Sequence, residues 1–311
     1  MRAPVAVFLY RRPAHTRLTL EALDRSPLAP ESELFLFLDR EANGGEENAV
    51  EAVRSLALSY RQKSRFRRVV LREASCHQGL ARSVICGVSH LIGRYGRVIV
   101  VEDDLVTAPG FLTYMNEALD VYAAQSAVWS ISGYTPCLPL PPDYLPPVYL
   151  TGRGCSWGWA TWRDRWELVD WEVADYARFR WNLYRRRQFN RGGCDLADTL
   201  DAQMRGERDS WAVRWCYTQN RLRKWTIYPR RSLVRNIGLD GTGTHDADGT
   251  RFQTALSEAC GCRLAPLEPD RRILKAFRRQ FAPSPWIRLR RAVRSVWKRL
   301  TTRRRKPDDN R

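Results

Sequence analysis

Residues 97–105 read RVIVVEDDL. Four consecutive Val and Ile residues are typical of a strand that is buried on both faces of a parallel sheet. Three carboxylates, Glu102, Asp103 and Asp104, follow that run directly. Adjacent carboxylates repel one another, and a divalent cation, which prefers oxygen ligands, would relieve the repulsion. The stretch therefore indicates either a metal and phosphate site at a strand end or a solvated turn between a strand and a helix.

The residues before and after this stretch predict the fold class. Short apolar runs at residues 5–9, 34–38, 69–71 and 128–132 are typical of buried strands. Segments with helical spacing of apolar residues separate them, and Pro109 is expected in the first turn of one such helix. The alternation predicts an α/β fold with a mostly parallel, doubly wound sheet and helices on both faces.

Polar residues recur where the predicted strands end. Arg11 and Arg12 follow the first run, Asp39 follows the second, and the three acids follow residues 97–101. Ligands of open α/β sheets bind at the carboxyl ends of the strands, so a nucleotide would fit one crevice along this edge. The sequence contains neither GxGxxG nor GxxxxGK[ST], which disfavours a dinucleotide enzyme or a P-loop NTPase.

The second half of the chain carries two further candidate regions. Residues 154–166 read GCSWGWATWRDRW, and their tryptophans either line a sugar-binding wall or belong to the core. Residues 179–191 contain five arginines, which either face an anionic acceptor or lie on a solvated helix face.

Residues 238–249 form a Gly-rich segment that we predict to be a flexible loop able to close over a substrate. His245 lies in this segment and is a candidate metal ligand or phosphate contact. A lone loop histidine is more often neither, so both interpretations stay open.

The net charge of +18 is concentrated near the C-terminus. Residues 271–306 hold 15 Lys and Arg and no acid, whereas residues 1–270 hold 36 basic and 32 acidic residues. The nearly neutral body disfavours a nucleic-acid groove. Apolar residues at spacings of three and four in residues 286–300 predict a basic amphipathic helix on an anionic membrane surface. Nucleic-acid binding and a disordered tail are the alternatives.

Targeting features and cysteines indicate the compartment. The first apolar run is short and ends in two arginines, so we expect no signal peptide, and no run approaches a membrane span. Eight cysteines without a CxxC pair predict reduced thiols. We therefore expect a cytoplasmic protein, with peripheral contact to the inner face of the membrane through its tail.

With these residues in view, the chain resembles the GT-A-fold sugar-nucleotide glycosyltransferases, in particular the N-acetylglucosaminyltransferase I type and bacterial family-2-like relatives. Residues 98–119, VIVVEDDLVTAPGFLTYMNEAL, are similar to that family's acidic metal motif, a variant of DxD. The resemblance covers about residues 5–252. It implies a transferase domain over residues 1–265, with a nucleotide-sugar and metal half (1–135) and an acceptor half (136–265). Residues 266–311 would be the basic tail.

The resemblance also implies roles for the residues at the strand ends. Asp104 would be the direct ligand of Mn²⁺ (or Mg²⁺), bridged to the diphosphate, and Asp103 would bind the ribose or assist the metal. Glu102 would bind hydroxyls of the donor sugar. Arg12 would contact the nucleotide, and Asp39 would bind its base.

In the second half, Gly158 and Trp159, with Trp157 beside them, resemble the segment that walls the donor and acceptor. Asp209 falls at the position of the family's catalytic base. The family usually has a Trp directly before paired acids, whereas residues 208–211 here read RDSW. The Golgi enzymes of this type also carry an N-terminal membrane anchor, and we expect the basic tail to replace it here.

The function implied is transfer of a hexosyl or N-acetylhexosaminyl group from a nucleoside-diphosphate sugar to a hydroxyl of a glycan or lipid-linked acceptor. Inversion at the anomeric carbon is expected, in surface or lipid-linked glycan synthesis. A metal-dependent sugar-phosphate nucleotidyltransferase is the alternative on the same sheet and acids. A basic nucleic-acid-binding protein is a more distant alternative, and no nucleic acid is expected as a partner.

Overall fold

A computed structural model describes residues 2–42, 45–239, 252–257 and 264–282 of the chain. Its strands and α-helices alternate through the first half, as the apolar runs predict. In chain order these elements are β1 (Val5–Leu9), α1 (Pro13–Asp24), β2 (Glu33–Leu38), α2 (Glu47–Lys63), β3 (Arg68–Glu73), α3 (Leu80–Tyr95), β4 (Arg97–Glu102), β5 (Leu105–Thr107), α4 (Phe111–Val121), β6 (Val128–Ser132), β7 (Val148–Thr151), β8 (Trp159–Trp162), α5 (Arg163–Trp166), α6 (Tyr176–Phe179), α7 (Leu183–Phe189), α8 (Leu196–Met204), α9 (Trp211–Arg221), β9 (Trp225–Pro229), β10 (Val234–Asn236) and α10 (Arg271–Gln280).

Eight of these strands form one sheet in the order β3-β2-β1-β4-β8-β6-β9-β7. Strands β3, β2, β1 and β4 are parallel neighbours. Strand β8 is antiparallel to both β4 and β6, β9 is parallel to β6, and β7 is an antiparallel edge strand. The predicted α/β class with a mostly parallel sheet is confirmed. A second, two-stranded sheet pairs β10 with β5.

Helices cover both faces of the sheet, and β4 shows how its residues are divided between them. Ile99 and Val101 lie in the cluster that contains buried residues of α1, α2 and α4. Val98 and Val100 lie in the cluster that contains α3 and several tryptophans. Side chains alternate between the faces of a strand, so a strand buried on both sides needs an uninterrupted apolar run.

The structure corrects two sequence-based expectations. Part of the Trp-rich segment forms β8, an inner strand with Trp159 paired to Val100 and Trp162 paired to Arg97. Pro109 does not lie in the first turn of α4, because the helix begins at Phe111. The Phe111 amide donates to the Ala108 carbonyl, which closes a separate turn ahead of the helix.

The described start of the basic C-terminal region packs against the edge of the sheet. In α10, Ile273 and Phe277 are buried, and the Phe277 ring meets the Tyr228 ring edge-on at 5.1 Å. Residues 283–311, with the whole of the predicted amphipathic helix at 286–300, lie outside the described residues. Among the helices that are described, none has the length and apolar composition needed to cross a bilayer.

Asn116 ties α4 to the residues that lead into β1. Its Oδ1 accepts from the Ala3 amide at 2.9 Å, its Nδ2 donates to the Leu112 carbonyl at 2.8 Å, and the side chain is buried. We expect Asn116→Ala to lower the free energy of unfolding by about 1–3 kcal/mol, because a buried amide loses its partner.

Urea denaturation of the two proteins measures this difference. Glu117→Ala, at an exposed neighbour on the same helix, is the control and should change stability by less than about 0.5 kcal/mol. Equal effects of the two substitutions would contradict the assignment.

Candidate active site

The three acids lie at the carboxyl end of β4 and point in different directions. Glu102 pairs in register with Phe8, which belongs to the α3 side of the sheet, so strand alternation places Glu102 on that side. Asp103 lies toward α1, where its Oδ2 accepts from the Tyr10 amide at 3.4 Å. Its carbonyl accepts from Thr19 Oγ1 at 2.8 Å. The triplet is therefore divided between the two faces of the sheet.

Asp104 forms an ion pair with Arg12, the arginine predicted to contact a nucleotide. Arg12 Nη1 lies 3.1 Å from Asp104 Oδ2, and both side chains are more than four-fifths buried. Asp104 Oδ1 is also buried, but it has no hydrogen-bond partner within the described residues. A buried carboxylate oxygen is normally satisfied, so this atom is a candidate ligand atom for a cation.

Gly238 covers this ion pair, and the sequence patterns did not identify it as a site residue. Its carbonyl accepts from Arg12 Nη2 at 3.4 Å. A Cβ at Gly238 would lie 2.6 Å from Arg12 Nη1 and collide with Asp104 Oδ2. Pairing of β10 with β5 and a hydrogen bond from the Ile237 amide to the Asp104 carbonyl bring this segment over the acids.

Burial and mutual repulsion change the proton affinities of the triplet. Burial raises the pKa of Glu102 well above its usual value, and the charges of Asp104 and Asp103 add to the rise. Burial also raises the pKa of Asp103 to about 7, with a contribution from Asp104, although Arg12 opposes it. For Asp104, burial raises the pKa while Arg12 and His15 lower it. The three carboxyl groups therefore lie in a buried environment that disfavours their charged forms.

These acids fit a divalent cation that is shared with a substrate. The described residues contain no group of three or more His, Cys, Asp or Glu side chains that could hold a metal ion by itself. A Mg²⁺-like ion is commonly bound by one or two carboxylates together with substrate phosphates. Asp104, through its unpartnered Oδ1, and Asp103 could supply these one or two carboxylate ligands. His245 lies outside the described residues.

Asp39, predicted to bind a base, holds the loop before α3. Its Oδ1 accepts from the Gln78 amide and its Oδ2 from the Gly79 amide, each at 2.9 Å. Oδ1 also accepts from the Arg40 amide, and His77 Nδ1 lies 3.1 Å from Oδ2. These contacts occupy most of the acceptor capacity of one carboxylate. Asp39 therefore positions residues 77–79 at the carboxyl edge.

Asp209, the predicted base, lies on the other side of the same loop. Its Oδ2 accepts from the Ala81 amide at 3.4 Å, and Arg214 Nη2 lies 3.8 Å from Oδ1. Its side chain is 59% exposed, so the carboxylate is open to solvent. It directly precedes Ser210, which accepts from the Val213 amide as the cap of α9. Asp39 and Asp209 thus contact consecutive parts of one turn at the start of α3.

Two aromatic residues connect the Asp39 loop with the acid triplet, and sequence reasoning missed both. The rings of Tyr10 and His77 lie 5.6 Å apart, and the Tyr10 amide donates to Asp103. Tyr10 directly follows β1, so its position at a strand end was an available signal. His77 offered no such pattern, because its place depends on how Asp39 folds the loop.

The three residues predicted to line the donor and acceptor sites differ in burial and in backbone conformation. Trp157 is half-buried against Tyr134, with ring centroids 4.7 Å apart. Gly158 has a φ of +63°, and a Cβ there would collide with Val234. Trp159 is fully buried and stacks on Trp211 at 5.0 Å. As a correction, the Trp159 indole belongs to the core, because β8 is an inner strand of the sheet.

Comparisons with known proteins were made for the sequence and for the structure. No family model and no curated protein matches the sequence. Residues 1–349 of S. aureus TarS are similar in structure, with a TM-score of 0.45, 9% identity, and coverage of 77% of this chain and 61% of that one. A mannosyltransferase from Pyrobaculum calidifontis in complex with GDP-Man and Mn²⁺ has a TM-score of 0.37, 17% identity, and coverage of 52% and 45%. Mouse xyloside xylosyltransferase 1 has a TM-score of 0.38, 12% identity, and coverage of 70% and 81%.

This chain spans less than two thirds of the TarS and mannosyltransferase chains. Two of the three structural neighbours are named as sugar transferases. At TM-scores below 0.5 the likeness assigns no activity to this chain.

The pKa shifts predict how stability depends on pH in a buffer that contains EDTA. A carboxyl whose pKa is higher in the folded state binds more protons when folded. Its favourable contribution is therefore present near pH 4 and is lost as the pH rises through the folded pKa, which is about 7 for Asp103. We expect Asp103→Asn to flatten this decline and to raise the unfolding free energy at pH 8 by about 2–4 kcal/mol.

Thermal melts followed by circular dichroism across this pH range measure the decline. Glu117→Gln is the control, at an exposed carboxylate on α4, and should keep the wild-type slope. An Asp103→Asn protein with the wild-type slope would argue against charge repulsion in the triplet.

Proposed function

We propose that this chain is a divalent-metal-dependent glycosyltransferase that moves a sugar from a nucleoside-diphosphate donor to an acceptor hydroxyl. The observation that carries the proposal is the pair Asp103 and Asp104, buried at the carboxyl edge with raised pKa values and an unpartnered Oδ1. Such a pair needs a cation, and a diphosphate supplies the further oxygen ligands of that cation.

In this proposal Asp104 holds Mn²⁺ or Mg²⁺ with help from Asp103. The bound ion would offset the charge that develops on the departing diphosphate. Arg12, fixed by Asp104 and by the Gly238 carbonyl, adds a second positive charge beside the same leaving group. Glu102, on the α3 side of the sheet, would bind hydroxyls of the donor sugar.

Asp209 is proposed as the base that takes the proton from the acceptor hydroxyl. It is solvent-exposed and lies at the start of α3, on the side of the sheet toward which Glu102 faces. An inverting reaction needs a carboxylate on the acceptor side of the sugar, and we propose Asp209 for that role. Trp157 and Gly158 at the start of β8 are the proposed wall for the sugar.

The finer parts of the proposal follow the sequence resemblance. The transferred group is a hexosyl or N-acetylhexosaminyl unit, and the acceptor is a surface or lipid-linked glycan. We propose that the enzyme works in the cytoplasm, at the inner face of the membrane, with the basic region 266–311 contributing to membrane contact.

We expect one nucleotide sugar from a donor panel to raise the melting temperature only when Mn²⁺ is present, and EDTA to abolish the shift. Asp104→Ala should remove both the shift and metal-dependent turnover, because it deletes the proposed ligand, while the far-ultraviolet spectrum stays unchanged. Glu117→Gln, at an exposed position on α4, should behave as wild type. Wild-type transfer by Asp104→Ala would rule out the proposed metal site, and release of pyrophosphate would identify a nucleotidyltransferase instead.

Asp209→Asn separates catalysis from binding. We expect turnover to fall by about 10²–10⁴-fold, because the acceptor hydroxyl loses its base, while the donor-dependent thermal shift is retained. Initial rates with saturating donor and the thermal shift measure the two properties. Turnover close to that of wild type would indicate a retaining reaction or a different base.

A further inference from the structure

Three large apolar side chains within four residues of the sequence are exposed where α6 passes into α7. Trp181 is 76% exposed, Leu183 69% and Tyr184 68%. Single exposed apolar residues are common on protein surfaces, but neighbouring large ones mark an interaction site. We call these three residues the apolar tip.

The segment that carries the apolar tip is well ordered on both sides. Phe179 and Phe189 flank it, are buried, and meet the Tyr217 ring edge-on at 4.9 and 5.4 Å. Asn182, inside the tip, accepts from the Arg185 amide at 3.0 Å and so caps α7. The exposure therefore belongs to a fixed turn that projects from a packed core.

The segment that carries the tip is basic. Residues 176–194 contain six arginines and no acid. Two of the arginines are engaged, Arg185 with Asp175 and Arg186 with Asp201. The other four are exposed and form no ion pair with a described acid; they are Arg178, Arg180, Arg187 and Arg191. The Arg180 guanidinium lies 4.6 Å from the centre of the Trp181 ring.

We propose that the apolar tip and its four exposed arginines dock this chain on an anionic lipid bilayer. Trp and Tyr partition to the boundary between headgroups and acyl chains, and arginines beside them pair with lipid phosphates. This contact is separate from the one predicted for the basic C-terminal region. It rests on described residues and does not depend on the proposed activity.

The same charges disfavour other occupants of this surface. A second copy docked through the same face would bring eight exposed arginines together, by doubling of the four. The C-terminal region is itself strongly basic and would be repelled. Single-stranded nucleic acid would match the arginines and stack on the aromatic rings, and it is therefore the competing ligand in the test.

The test measures sedimentation of the full chain with vesicles of phosphatidylcholine alone or with about one third phosphatidylglycerol. Trp181→Ser/Leu183→Ser/Tyr184→Ser should lower the partition coefficient on anionic vesicles by at least about tenfold, because apolar area no longer enters the interface. The matched control is Leu145→Ser/Leu168→Ser/Leu222→Ser, at three exposed leucines outside the tip, and should bind as wild type. Thermal melts should be unchanged in both variants.

Replacement of the four exposed arginines by Gln should remove the preference for anionic over neutral vesicles. Wild-type vesicle binding by the tip variant would overturn the proposal and leave the C-terminal region as the membrane contact. A loss of single-stranded RNA affinity with vesicle binding unchanged would overturn it in favour of nucleic acid. A wild-type dimer that becomes monomeric in the tip variant, by sedimentation velocity, would overturn it in favour of self-association.

Discussion

Electrostatic repulsion among Glu102, Asp103 and Asp104 is the constraint on which the rest of the site depends. The strand before them is buried on both faces, so the backbone cannot move the acids apart into water. Burial and mutual repulsion together raise their pKa values. The fold supplies only partial compensation within its described residues, chiefly Arg12 at 3.1 Å from Asp104. A bound cation with a phosphate-bearing ligand would compensate the negative charge that Arg12 leaves uncompensated.

Segments that are distant in sequence pack around the turn that carries these acids. Strand β10 pairs with β5 and brings Gly238 over the Arg12–Asp104 pair, where any Cβ would collide. Helix α1 offers Thr19 to the Asp103 carbonyl. These contacts position the acidic residues but do not neutralise their charge. In the proposed function, a cation and the donor diphosphate would bind at this site and offset the remaining negative charge.

The parallel half of the fold could be predicted because each strand is a continuous apolar run that ends in polar residues. Strand β8 could not, because WATW has the same composition as a surface wall of aromatic rings, and only pairing with β4 and β6 makes it an inner strand. The acid triplet was predictable because it directly follows one of these apolar runs. His77 was not, because two backbone contacts of Asp39, to the Gln78 and Gly79 amides, decide where its loop lies.

Strand geometry then divides the triplet in a way that the sequence alone did not reveal. Successive side chains of β4 point to opposite faces, which puts Glu102 on the α3 side and leaves Asp103 and Asp104 in the turn toward α1. Asp209 approaches the start of α3, on the Glu102 side. In the proposed reaction, the diphosphate of the donor would lie beside Asp104 and its sugar beside Glu102, and Asp209 would take the proton of an acceptor hydroxyl that approaches from the α3 side.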